Sequence, residues 1–208
     1  MAAALVMARA PVAGACKTRL EPLLGPEGCA RLQAVLIDVA MAWAAEAVGP
    51  GRVLLALDGA AGWGHTPACV AQPAGSLGER ITAGVTEAFA RFGGPLLVIG
   101  TDMPRLGRAH AAAALADMDA GADASFGPAL DGGYYLLALR EPRAELLALA
   151  PQDWGGPTVL AKTLRIAAEL ELDIGLLRTE RDLDTPVDAA AFLADPLTPV
   201  AVRAALEP

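Results

Sequence analysis

Four short apolar runs, Ala3–Met7, Val53–Leu57, Leu96–Ile99 and Ile174–Leu177, recur along the 208 residues with helical stretches between them. Each is the length of a strand buried on both faces, and strands of that kind occur where helices cover a parallel sheet. The spacing predicts helices over Glu27–Val48, Gly78–Arg91, Arg108–Met118 and Pro157–Leu170. Gly49-Pro50 ends the first, Gly93-Gly94 stops the second, and Pro157 suits a first helical turn. The alternation restricts the chain to an α/β fold with three layers, a mostly parallel sheet and helices on both faces. One region departs from it. Ala122–Phe126 and Tyr134–Leu139 both read as strands and are joined by a Gly-rich turn, so a small antiparallel excursion is expected there. With no linker-like segment, residues 1–208 are expected to form a single nucleotide-binding α/β domain.

Charge narrows the partners. Sixteen Lys+Arg stand against 24 Asp+Glu, a net charge of −8, which disfavours a nucleic acid polymer or an anionic membrane surface. The N-terminal apolar run is broken by Arg9 and Pro11, well short of the ~18 residues of a membrane span. Cys16, Cys29 and Cys69 are odd in number and widely spaced, with neither a disulfide framework nor a zinc-ligand spacing. They read as reduced thiols of a cytoplasmic protein. The sequence carries no feature that sets an oligomeric state.

The segment after the first strand, Arg9-Ala10-Pro11-Val12-Ala13-Gly14-Ala15-Cys16-Lys17-Thr18-Arg19-Leu20, brings three cations to a loop. It lacks the glycines of a P-loop at Pro11 and Cys16 and the spaced glycines of a dinucleotide fingerprint, so it reads either as a phosphate-binding loop or as a solvated basic one. Thr101 and Asp102 follow the Leu96–Ile99 strand, at the sheet edge where open α/β proteins bind ligands. Asp102 is therefore a metal-ligand candidate, with a turn or cap as the structural alternative. Farther on, Thr185, Pro186 and Asp188 form a capping-box pattern that leaves Asp182 and Asp184 unexplained. Their i, i+2 spacing in extended chain points both carboxylates to one side, as a magnesium or manganese site requires.

Asp131-Gly132-Gly133-Tyr134 reads as a hairpin turn, and its glycines also permit close approach by a ligand. Trp154 precedes a helix start and is either core or lid packing or a base-stacking platform. Ser76 with Glu79 reads as an N-cap pair on a Gly-rich stretch, QPAGSLGER. His65 and His110 have no acid partner in sequence, so no His-centred triad is supported.

Six motifs in order, ARAPVAGACKTRL, QPAGSLGERI, IGTDMP, FGPALDGGYYLLAL, WGGPTVLAKTL and RDLDTPVD, together resemble a bacterial family of glycosyltransferase A-type proteins often labelled glycosyltransferases. KTRL and DLDTPVD are similar to the 2-phospholactate guanylyltransferases of deazaflavin cofactor synthesis, with the molybdenum cofactor guanylyltransferases more distant. The resemblance implies a nucleotide-diphospho-sugar transferase-like fold, with a nucleotide in the N-terminal half of the sheet. It implies nucleotide contacts at Ala8, Arg9, Ala10, Gly14, Lys17, Arg19, Gly78, Glu79 and Thr101, with Lys17, Arg19 and Asp102 catalytic. Mg2+ or Mn2+ would be held by Asp102, Asp182 and Asp184, and the acceptor by Asp131, Gly132, Gly133, Tyr134 and Trp154. The tyrosines of DGGYYL and the sequence ARAPVAGAC depart from the guanylyltransferase pattern. The activity so implied is nucleotidyl transfer from a nucleoside triphosphate to a small phosphorylated or acidic acceptor, releasing pyrophosphate. The alternatives are glycosyl transfer from a nucleotide sugar, with Asp131 as base, and a non-catalytic nucleotide-binding module.

Overall fold

The structure, a computed structural model, describes residues 1–59 and 68–207. His65 lies outside the described residues.

Seven strands form one sheet: β1 (Ala3–Arg9), β2 (Val53–Asp58), β3 (Cys69–Ala71), β4 (Leu96–Ile99), β5 (Ala124–Pro128), β6 (Tyr134–Leu139) and β7 (Ile174–Leu176). Their order across the sheet is β3-β2-β1-β4-β6-β5-β7. Only β6 runs antiparallel to its neighbours, pairing Ile99 with Leu136 on β4 and Phe126 with Leu137 on β5. This is the expected excursion, and it carries the start of β6 to the edge where the parallel strands end.

The described residues also form the α-helices α1 (Glu21–Val48), α2 (Leu77–Phe92), α3 (Arg108–Ala120), α4 (Val159–Glu169), α5 (Pro186–Ala194) and α6 (Val200–Leu206), with short 3-10 turns between some of the elements. Alternate residues of β1 enter opposite cores, as a two-residue period demands. Ala4, Val6 and Ala8 pack with Ile37 and Trp43 of α1 and Ala111 and Met118 of α3. Ala3 and Leu5 pack instead with Ile81 and Val85 of α2 and Ala167 of α4. The three-layer expectation therefore holds.

The outer side of α1 is apolar as well. Leu32 and Leu36 meet Phe192 of α5 and Val202 and Leu206 of α6. The stretch Thr18–Val48 is long and apolar enough to cross a membrane by length and composition alone, and half of its most apolar 18-residue window is buried within the fold. α1 begins earlier than the sequence predicts, at Glu21, but Gly25 breaks it with a positive φ of 66°, so the regular helix starts next to the expected Glu27.

Candidate functional site

The strand ends β1, β2 and β4, the start of β6 and the segment 154–159 enclose an open cleft of about 460 Å³. It lies at the carboxyl edge of the parallel strands, where such sheets bind ligands.

At its centre is a cation held by two chain segments. Lys17 adopts a left-handed backbone, φ 49°, in a residue that is not glycine. That conformation is sparsely populated and persists only where the surroundings enforce it. Its side chain is 4% exposed; Nζ lies 2.8 Å from Asp102 Oδ1 and 4.0 Å from Asp184 Oδ1. The same ammonium donates to the Leu183 carbonyl at 2.5 Å. Arg19 ion-pairs with Asp184. Of the three cations of this loop, Lys17 is buried at the centre of the cleft, while Arg9 and Arg19 line it with exposed side chains. Gln33 of α1 braces the arrangement, its amide nitrogen donating to the Arg9 carbonyl at 3.0 Å and to Thr101 Oγ1 at 3.3 Å.

Toward β2 and β3, Asp58 pairs with Arg80 and lies 3.8 Å from Arg9 Nε. Gln72 spends its amide nitrogen on the carbonyls of Ala8 and Ala56, at 3.0 and 2.8 Å. Asp58, Gln72 and Arg80 line the cleft and were not singled out from the sequence. Asp58 had a usable signal, since it ends a strand as Asp102 follows one; Gln72 and Arg80 bound the QPAGSLGER stretch, where only the Ser76 and Glu79 cap was read.

Asp182 also lines the cleft, and its surroundings differ from those of Asp184. Burial, followed by the charges of Asp131, Asp188 and Asp102, pushes its carboxyl up to about 6. So the two acids of the i, i+2 pair separate in role: Asp184 is engaged by Arg19 and Lys17, and Asp182 lies among like charges. Like-charged carboxylates at a cleft match the hard oxygen donors that magnesium and manganese take. No group of three or more His, Cys, Asp or Glu side chains among the described residues stands in ligating arrangement. Magnesium is commonly held by only one or two carboxylates plus substrate phosphates, and Asp102 with Asp182 fits that mode. Asp102 Oδ1 takes Lys17 and Thr101, and the side chain remains 48% exposed.

Ala8, Arg9, Lys17, Arg19, Thr101, Asp131, Gly133, Tyr134 and Trp154 all line the cleft. Other expected contacts lie off its wall. Glu79 Oε2 accepts from the Ser76 N–H at 2.7 Å and from the Ser76 hydroxyl at 2.9 Å, closing the capping box of α2. Ala10 is buried, its N–H bonded to the Asp58 carbonyl at 2.7 Å, and Gly14 serves the loop turn with φ 74°. Gly78 makes room for its neighbours, since a Cβ there would lie 2.3 Å from the Leu147 carbonyl and 3.0 Å from Trp154 Nε1. Gly132, at φ 91°, has the Pro157 carbonyl oxygen 2.1 Å from where a Cβ would stand. Its close approach is to the chain entering α4 and not to a ligand.

His110 corrects the sequence reading, for it does have an acid partner. Its Nε2 lies 3.2 Å from Glu180 Oε1, while Nδ1 accepts from the Gly107 N–H at 3.0 Å. Glu180 in turn donates its N–H to the Pro128 carbonyl and accepts from Leu130, both at 3.0 Å. The buried histidine thus anchors the segment that carries Asp182.

Residues 32–155 match a family described as uncharacterized protein conserved in bacteria (DUF2064). The chain belongs to this family. No curated protein matches the chain. Among solved structures, a candidate nucleotide-diphospho-sugar transferase from Desulfovibrio desulfuricans G20 superposes with a TM-score of 0.79 at 23% identity, over 99% of this chain and 94% of the other. Rv0371c of Mycobacterium tuberculosis, in complex with manganese, gives 0.52 at 16% identity, over 92% and 97%. A cytidylyltransferase from Leptospira borgpetersenii gives 0.55 at 9%, over 97% and 90%. At these identities the likeness establishes the fold, a mostly parallel sheet between helices, and the fold alone.

Proposed function

We propose that this member of the DUF2064 family is a metal-dependent nucleotidyltransferase, moving a nucleoside monophosphate from a nucleoside triphosphate to a small acceptor with release of pyrophosphate. The observation that carries the reading is the buried Lys17 ammonium fixed between Asp102 and Asp184 at the carboxyl edge of the sheet, with Arg19 beside it. A buried, strained cation at a strand edge suits a polyanion whose charge shifts during reaction. Phosphoryl-type transfer is catalysed mainly by positioning and charge stabilisation, so no protein nucleophile is required. Arg9 and Arg80, joined through Asp58, carry the nucleotide end, and Lys17 and Arg19 bind the triphosphate. An acceptor oxygen bonds to the α-phosphorus as the bridging bond to the β-phosphate breaks. Asp102 and Asp182 are the residues that would hold Mg2+ or Mn2+, which when bound would neutralise phosphate charge and polarise the reacting oxygens. Asp184, engaged by Lys17 and Arg19, is their anchor in this scheme. The resemblance of KTRL and DLDTPVD to the 2-phospholactate guanylyltransferases supports nucleotidyl transfer, as does the manganese complex of Rv0371c for the metal. The free thiols Cys16, Cys29 and Cys69 support a reducing, cytoplasmic setting.

The name of the Desulfovibrio neighbour favours a second reading, glycosyl transfer from a nucleotide sugar. One assay separates the two. The protein is offered triphosphates and nucleotide sugars with manganese and a broad acceptor panel. Pyrophosphate release supports nucleotidyl transfer, whereas nucleoside diphosphate from a nucleotide sugar, without pyrophosphate from any triphosphate, replaces it with the glycosyl reading.

A further inference from the structure

Charge is divided unequally along the cleft. Among the described residues the cations that line it, Arg9, Lys17, Arg19 and Arg80, lie on the β1–β2 side or at the centre, and each is already matched to Asp58, Asp102 or Asp184. The opposite wall, built from the β5–β6 turn, the start of β6 and residues 154–159, presents Asp131, Tyr134, Tyr135 and Trp154 and, among the described residues, no cation. Basic residues in that part of the chain are paired elsewhere: Lys162 with Asp153 at 2.5 Å, Arg181 with Asp188 at 2.8 Å and Arg178 with Glu180 at 2.5 Å. A phosphate or carboxylate on the acceptor would meet like charge here and find no guanidinium or ammonium to receive it.

The same wall carries a group waiting for a partner. The Tyr134 hydroxyl is buried yet hydrogen-bonded to nothing among the described residues, and burial raises its pKa so that it stays a neutral donor and acceptor. Its ring stands edge-on to Phe126, with centroids 5.2 Å apart, which fixes the position of the hydroxyl. Asp131 Oδ1 accepts the Gly133 N–H at 2.8 Å, an arrangement that orients the carboxylate and leaves its second oxygen for a ligand hydroxyl. Trp154, seated against Gly78, adds an aromatic surface. Carboxylate, phenol and indole together match a polyhydroxylated, uncharged molecule, whose hydroxyls donate to the acid and whose C–H faces stack on the ring.

We infer that the acceptor is a neutral polyol or sugar that presents a hydroxyl, in place of the phosphorylated or acidic acceptor that the sequence resemblance suggests. This rests on the transferase reading of the cleft. The acceptor hydroxyl oxygen forms the new bond to the α-phosphorus, the bond to the bridging oxygen breaks, pyrophosphate departs with that oxygen, and the hydroxyl proton passes to Asp131.

The test uses matched pairs: glycerol and glycerol 3-phosphate, ribitol and ribitol 5-phosphate, glucose and glucose 1-phosphate. Each is offered to the whole protein with triphosphates and manganese, following pyrophosphate, and with nucleotide sugars, following nucleoside diphosphate. Binding is followed separately by tryptophan fluorescence, with Trp154→Phe as the control. The neutral member of at least one pair is expected to raise product release at least about tenfold over its phosphorylated partner and to quench fluorescence at lower concentration. Asp131→Lys is expected to reverse that preference in the fluorescence titration and, with the proton acceptor gone, to lose turnover with both members of each pair. A phosphorylated member that is equal or better in every pair overturns the inference, as does fluorescence that no neutral member changes. If nucleoside diphosphate appears and pyrophosphate does not, the nucleotidyl reading fails while the acceptor assignment is still decided by the same pairs.

Discussion

Lys17 Nζ lies 2.8 Å from Asp102 Oδ1, joining the loop after the first strand to the end of the fourth across the centre of the cleft. Lys17→Met keeps the apolar stem and removes the charge. Triphosphate affinity is expected to fall at least about tenfold while nucleoside affinity is unchanged, because only the phosphates meet this cation. Stability should drop by about 1–3 kcal/mol, as Asp102 and the Leu183 carbonyl lose a partner. Calorimetry with both ligands checks the first point, and equal losses would remove Lys17 from the phosphate site.

Asp182 gives a pH signature. Its carboxyl is raised to about 6, above an unfolded value of about 4, so the stability it contributes is full below about pH 4 and is lost as pH rises through about 6. Above about pH 6, Asp182→Asn should therefore melt higher than the wild type, and the difference should shrink toward about pH 4. Manganese should raise the wild-type melting temperature more at about pH 7.5 than at about pH 5, and should do little for the variant. Melting curves that keep the same separation at every pH would contradict this account of Asp182.

His110 acts at one remove from the cleft, through its contact with Glu180, two residues before Asp182. His110→Ala leaves Glu180 buried without that partner, and a loss of about 1–3 kcal/mol is expected. Turnover and triphosphate affinity should both fall, since the segment that shifts carries Asp182 and also the Leu183 carbonyl and Asp184 that hold Lys17 and Arg19. Parallel measurement of kcat and nucleotide Kd checks this, and an unchanged kcat would confine His110 to the fold.

Gly132→Ala places a methyl where the Pro157 carbonyl stands, in a left-handed backbone at φ 91°. The variant should lose several degrees of melting temperature and lose acceptor-dependent turnover, because the β5–β6 turn and the chain entering α4 share this contact. Triphosphate binding should survive. Chemical denaturation and calorimetry on the same preparation check both halves.

The sheet was legible because its strands are buried on both faces and read as short unbroken apolar runs, as β1 and β4 do. β3 was not, since Cys69–Ala71 is three residues long at the sheet edge with two of them exposed. α6 was missed for a related reason: Val200–Leu206 is seven residues, alanine-rich and close behind Pro199, with too few turns to display a period. Capping patterns at Ser76–Glu79 and Thr185–Asp188 were readable because their parts are three residues apart. Partnerships across the fold were not. His110 and Glu180 are 70 residues apart, and Lys17 and Leu183 are 166 apart, so only the folded sheet brings them together. The separation of Asp184 from Asp182 in role also depends on where Arg19 lands, which no spacing rule supplies.

The most direct test of a metal-dependent nucleotide site is calorimetric titration of nucleoside triphosphates into wild-type protein and Asp102→Asn, each with and without manganese. Asparagine preserves the shape of the side chain and removes its charge, so the fold is expected to survive with a near-normal melting temperature. The wild type should bind at least one triphosphate more tightly with manganese than without, and the variant should show no gain from the metal. An Asp102→Asn protein that keeps wild-type affinity in manganese would contradict the account.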